Sequence, residues 1–216
     1  MMTFYEKLQA DTRHERQTLL ETEMIQRTFR GEINLEDYVK FLGQAFHHVK
    51  HTVPLLMSVG ANLDDDREWL RSAVAEYVEE EIGHQEWILN DIAACGHDKE
   101  LARNNPANFE TEVMVAYAYD LVNRINPVGF FGMVFVLEGT SVDLADSAAN
   151  RIKDALNLPE QAFTYLRSHG SLDQEHIKFL ENLINRFDNP LEQALLIRSA
   201  KSFYRLYRGV FESIRS

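Results

Sequence analysis

"GFFGMVFVLEGTSVDLADSAANRIKDAL", residues 129–156, carries apolar residues at three- and four-residue spacing. At about 100° of rotation per residue, Phe131, Val134, Glu138, Val142, Ala145, Ala149, Ile152 and Leu156 fall on one stripe. The stripe is that of a core helix, and a single carboxylate interrupts it. An ionised carboxylate taken out of water is costly without compensation, so something positive has to face Glu138.

The same periodicity recurs along the chain, sustained alternation is absent, and Asn-Pro and Gly supply the punctuation. The expectation is an all-α compact bundle of about seven helices, forming one domain over residues 1–216. Its helices are Phe4–Phe29, Leu35–Val59, Asp65–Cys95, Glu110–Arg124, Pro127–Leu156, Glu160–Phe187 and Pro190–Ser213. Asn126 and Asn189, each before a proline, read as N-caps with proline at the first helical position. Gly96 reads as a helix stop, and Pro54 should kink or break the second helix.

Two further stripes carry polar residues where the core belongs. In the third helix Leu70, Val74, Tyr77, Glu81, His84, Ile88 and Ile92 align, and Glu81 and His84 interrupt the apolar run. In the sixth, "SHGSLDQEHIKFL" (168–180) puts His169, Asp173 and His176 between Ala162 and Tyr165 on one side and Leu180 and Leu183 on the other. The three fall within about 60° on the wheel. No lysine or arginine sits on these three seams, whereas histidines do, and helical bundles bind metal pairs through inward Glu and Glu-x-x-His sets. Together the seams offer three imidazoles and three carboxylates, a mixed nitrogen and oxygen set that suits iron or manganese better than structural zinc. Each pattern alone also fits a solvated or internally paired helix face; their joint occurrence on three helices favours ligands.

Other polar residues carry less. His48 shares a face with Phe41, Ala45, Leu55 and Val59, which fits a core histidine or a group behind the ligands. His47 and His51 align with Glu36, Lys40 and Gln44, a surface stripe. Tyr77 and Tyr165, one turn before Glu81 and His169, either hydrogen-bond a ligand or pack. Phe131 and Phe135, with Phe130 and Met133, either line a pocket beside Glu138 or fill the core. His14 and His97 should be exposed.

The chain has 34 acidic against 22 basic residues and a formal charge of −12. Such a surface repels nucleic acid and anionic membranes and favours small molecules or metal cations. The apolar run at 128–137 is shorter than a bilayer span and no leader-like apolar segment opens the chain, so a soluble, cytoplasmic protein is expected. Cys95 is the only cysteine, which excludes an intrachain disulfide and cysteine-based metal sites.

"EEEIGHQEW", the lone Glu of "FVLEGTS" and "HGSLDQEH" together resemble the haem-oxygenase-like diiron oxidases, a group related in fold to haem oxygenase, the thiaminase-like proteins and pyrroloquinoline quinone synthase. The most specific piece is H-x-x-x-D-x-x-H, matched by His169, Asp173 and His176. Many members place a Glu seven residues before the first His, where this chain has Tyr77; the shorter Glu-x-x-His occurs in the fatty-acid decarboxylase branch. The resemblance implies two iron ions, or manganese or a mixed pair, held by Glu81, His84, Glu138, His169, Asp173 and His176. It implies oxidation of a small organic substrate (a fatty acid, an amine or an amino-acid-like molecule) by dioxygen, with an external reductant. A homodimer is the default for this architecture. The alternatives are a haem oxygenase using His14 and glycines 129, 132 and 139, a thiaminase-type hydrolase using Cys95, and a non-catalytic helical binding protein.

Overall fold

The computed structural model describes residues 2–171 and 173–214, the side chains at 169–176 excepted. Among the described residues there is no strand, and twelve α-helices follow one another. They are α1 (Phe4–Leu20), α2 (Glu23–Arg30), α3 (Leu35–Val49), α4 (Thr52–Asn62), α5 (Glu68–Glu81) and α6 (His84–Ala94), then α7 (Lys99–Asn104), α8 (Phe109–Asp120), α9 (Phe131–Leu156), α10 (Thr164–Ser171), α11 (Asp173–Ile184) and α12 (Pro190–Ser213).

The expected count of seven is corrected upward for a simple reason. A chain can turn and still bury the same side, so an apolar stripe runs on through a break. The first stretch divides at Glu21–Thr22 and the second at Lys50–His51. Pro54 does not make that second break: it lies in the first turn of α4, where its missing N–H would have had no intrahelical partner. The third stretch divides at Ile82–Gly83, between Glu81 and His84. The sixth stretch is described as α10 and α11, and helix α7 joins the count from a segment with too few apolar residues to show a stripe.

Punctuation residues behave as their chemistry requires. Thr3 and Glu6 form a reciprocal capping box at α1, worth on the order of 1 kcal/mol. Asn126 Oδ1 accepts from Val128 N at 2.9 Å, and Asn189 Oδ1 accepts from Leu191 N at 2.9 Å. Both asparagines precede a proline that opens a helical turn, as expected. Gly96 follows the end of α6 with a positive φ.

Helix α9 is the hub, packing against α2, α10, α11 and α12. Gly132 sets the approach to α12: a Cβ there would lie 2.0 Å from Ser199 Oγ and 2.8 Å from the Ala200 nitrogen. By length and composition Pro127–Leu156 is long and apolar enough to cross a membrane, more so than its ten-residue apolar core implied. Over half of its most apolar window is nevertheless buried inside the bundle, as in a core helix.

Candidate metal centre

Glu81 is the last residue of α5 and His84 the first of α6. The sequence reading placed them on one continuous helix; Gly83, at φ +97°, turns the chain between them instead. Only glycine adopts that backbone without strain. The turn still brings Glu81 Oε2 within 3.1 Å of the buried His84 Nδ1, and the Trp87 ring lies 4.1 Å from the imidazole, centroid to centroid. A carboxylate at a helix C-terminus sits against the carbonyl end of the dipole, which disfavours negative charge. A cation bound at Glu81 would offset that unfavourable charge–dipole contact.

Glu138 reaches the same place from α9. It is half-buried and, with Glu81, His48, Tyr77 and Tyr165, lines a cleft that holds no lysine or arginine among the described residues. The apolar part of the wall comes from Leu56, Phe130, Met133 and Leu137. Burial, followed by the charge of neighbouring Glu138, holds the Tyr77 phenol well above its ordinary range, so it is a neutral hydroxyl beside that carboxylate. His48 is 2% exposed and meets the Tyr207 ring edge-on at 5.9 Å.

Two carboxylates and an imidazole are hard to intermediate donors, a set that fits ferrous iron or manganese. Among the described residues no three His, Cys, Asp or Glu already converge as a metal-binding group. The side chains of His169, Asp173 and His176 lie outside the described residues. Their helices are in place at the level of the backbone: α10 packs on α6 and α9, and α11 packs on α9.

Asp91 was not singled out in the sequence and proves structurally prominent. It is fully buried on α6, seven residues after His84. Its carboxylate accepts the backbone N–H groups of Thr164 at 3.0 Å and Tyr165 at 2.8 Å, the opening residues of α10. The helix that follows Glu81 therefore caps the helix that carries His169. Burial pushes the Asp91 carboxyl up to about 6, against the hydrogen bonds that lower it. The test that exposed Glu138, a carboxylate on an apolar face, would have found it beside Ile88 and Ile92.

Packing decides several readings the sequence left open and corrects one. Phe131 packs against Phe187 at 6.2 Å and Phe135 against Tyr5 at 5.8 Å, and neither lines the cleft, whereas Phe130 and Met133 do. The face carrying His47 is not a surface stripe: His47 and Gln44 are buried, because α8 covers them. Gln44 Oε1 accepts from Asn108 N at 2.9 Å and from Thr111 Oγ1 at 2.7 Å. Burial, then Lys50 and His51, push His47 down to about 4. His14 and His97 are exposed, as expected. Cys95 is buried, and burial with nearby Asp91 pushes its thiol up to about 11, the opposite of an activated nucleophile.

The architecture is that of the haem-oxygenase-like all-α proteins. A haem-oxygenase-like domain of unknown function from Shewanella denitrificans OS217 superposes with a TM-score of 0.89 at 21% identity, covering 97% of this chain and 91% of that one. A TenA homologue from Pseudomonas syringae pv. tomato DC3000 gives 0.80 at 13% identity, over 98% and 92%. Haem oxygenase-1 from the cyanobacterium Synechocystis, in complex with haem, gives 0.78 at 8%, over 99% and 92%. At these identities the likeness defines the fold. Residues 39–208 match the family described as iron-containing redox enzymes, and the chain belongs to that family. No curated protein is significantly similar in sequence.

Proposed function

We propose that the protein is a non-haem dinuclear iron oxidase, or its manganese or mixed-metal counterpart, that uses dioxygen to oxidise a small organic substrate. The observation that carries this reading is the cleft into which Glu81 and Glu138 both open, with His84 against Glu81 and no lysine or arginine among the described residues that line it. Negative charge gathered in a partly buried, apolar-walled space calls for cations. Glu81, His84 and Glu138, with His169, Asp173 and His176, would hold two ions, which when bound supply the electrons and open coordination positions that dioxygen requires.

The chain's own residues do the remaining work. Tyr77 presents a neutral hydroxyl to Glu138 and fixes the orientation of that carboxylate. Leu56, Phe130, Met133 and Leu137 keep water from the reacting space. An external reductant, a cytoplasmic location and a homodimeric state complete the proposal, with no nucleic-acid or membrane partner.

The test is anaerobic ferrous loading followed by exposure to oxygen. The expected result is close to two irons per chain and an oxygen-dependent absorbance change, both lost in Glu138→Ala. Well under one iron per chain, unaffected by Asp173→Ala, would overturn the proposal and leave the non-catalytic reading.

A haem oxygenase-type activity is the second reading, favoured by the shared fold and by Gly139, where a Cβ would meet nothing within 4 Å. Against it, His14 is exposed, Gly129 packs on Leu121, and Gly132 packs on Ser199. A tight one-to-one Soret titration abolished by His14→Ala would reverse the ranking.

A further inference from the structure

A second cavity adjoins the carboxylate cleft and shares Ser141, Tyr165 and Tyr207 with it. It follows α9 away from Glu138: Ser141, Leu144, Ala145, Ala148 and Ile152 lie along it at helical spacing. From Glu138 to Ile152 the helix runs about 21 Å. The small side chains of Ser141, Ala145 and Ala148 leave the space open. Across from them stand the aromatic rings of Phe41 and Phe211, stacked at 5.7 Å, together with Phe29 and Ile25.

Among the described residues the lining of this cavity contains no charged side chain, and its polar side chains are largely committed to the fold. Thr28 Oγ1 donates to the Met24 carbonyl at 2.9 Å, Thr140 Oγ1 to the Val136 carbonyl at 2.6 Å, and the Tyr38 hydroxyl to the Ala162 carbonyl at 2.7 Å. Such a space offers dispersion and apolar burial and little that would orient a polar ligand. Polar character rises where the two cavities meet, since all three shared residues carry a hydroxyl. Beyond them lie the carboxylates.

We infer that the second cavity binds the hydrocarbon tail of the substrate, a single-tailed amphiphile whose polar head passes the hydroxyl-bearing neck to Glu81 and Glu138. The inference rests on the oxidase reading only in calling this ligand the substrate. The gradient from apolar cavity to hydroxyl neck to carboxylate cleft is that of an amphiphile, and α9 presents all three zones on one continuous face. Ala148 and Ile152 then set how long a tail fits.

The test measures binding to the metal-free chain by calorimetry, using 1-alkanols, n-alkylamines and n-alkanoates of six to twelve carbons. Affinity should rise roughly fourfold per methylene until the cavity is full, with the same slope for all three heads. The heads then differ in intercept, which identifies the polar group that the cleft accepts. Ala148→Phe should weaken a decyl tail roughly tenfold or more, by obstructing packing space, while iron stoichiometry stays unchanged. Ile152→Ala, which deepens the far end, should move the plateau to longer tails, and this variant decides the matter if Ala148→Phe does not fold. No dependence on chain length, or a plateau unmoved by Ile152→Ala, would overturn the inference. Two irons per chain without chain-length dependence would sink the tail site and leave the oxidase; chain-length dependence without iron binding would do the reverse.

Discussion

Glu138→Gln keeps the shape of the side chain and removes the charge that α9 carries into the cleft. In the metal-free protein that carboxylate is half-buried and shares its cleft with Glu81, so the variant should unfold at a higher temperature than the wild type. A gain of about 1 kcal/mol corresponds to a rise of roughly 2–4 °C for a chain of this size. Under ferrous loading the order should invert, because the wild type gains stability from bound metal and the variant does not. Calorimetric scans with and without iron check both halves, and a variant less stable in both would count against a metal-dependent role for Glu138. This residue was legible in the sequence because it stood alone on an apolar stripe. Asp91 obeyed the same rule and escaped notice, since its partners are backbone N–H groups 73 and 74 residues away, and no side-chain pattern records them.

Among the helices, the turn at Ile82–Gly83 decides the most. It ends α5 at Glu81 and starts α6 at His84, so two neighbouring candidate ligands belong to separate elements whose angle the glycine sets. Gly83→Ala forces a side chain into φ +97°, at a cost of about 1–2 kcal/mol. No neighbour lies within 4 Å of the added Cβ, so the penalty is one of backbone conformation rather than crowding. Urea unfolding should show that loss, and ferrous affinity should fall along with it. Unchanged stability would mean that the turn relaxes freely and does not fix the pair. The sequence announced the glycine stop at Gly96 and missed this one, since the apolar face resumes at Ile88 and Ile92 as though the helix had continued.

Across the whole molecule, two buried groups oppose each other in their response to acid. Asp91 titrates near 6 in the fold against 3.8 ordinarily, among the Thr164 and Tyr165 amides, Cys95 and Tyr38. Between those values the folded state binds more protons than the unfolded, so stability from this group rises as pH falls through the window. His47 titrates near 4 against 6.5, facing Lys50 and His51. There the folded state binds fewer protons, and stability falls as pH drops. The two effects, roughly 2 kcal/mol each after solvent screening, offset one another in the wild type. Taken from pH 7 to 4.5 in urea unfolding, Asp91→Asn should lose more stability than the wild type and His47→Gln less; parallel losses in all three would refute the assignment.

The sequence by itself determined that the chain is helical, where its apolar stripes run, and that Glu81, His84 and Glu138 interrupt them. Hydrophobic periodicity and caps such as Asn126 and Asn189 are local properties, readable within a turn or two. Only the tertiary structure decided that Glu81 and Glu138 open into one cleft, that Asp91 fastens α10 to α6, that Phe131 and Phe135 pack while Phe130 faces the cleft, and that an apolar cavity continues along α9. Those outcomes depend on which helices meet and at what angle, and the close approach of α9 and α12 at Gly132 is set by atoms about 67 residues distant in the chain.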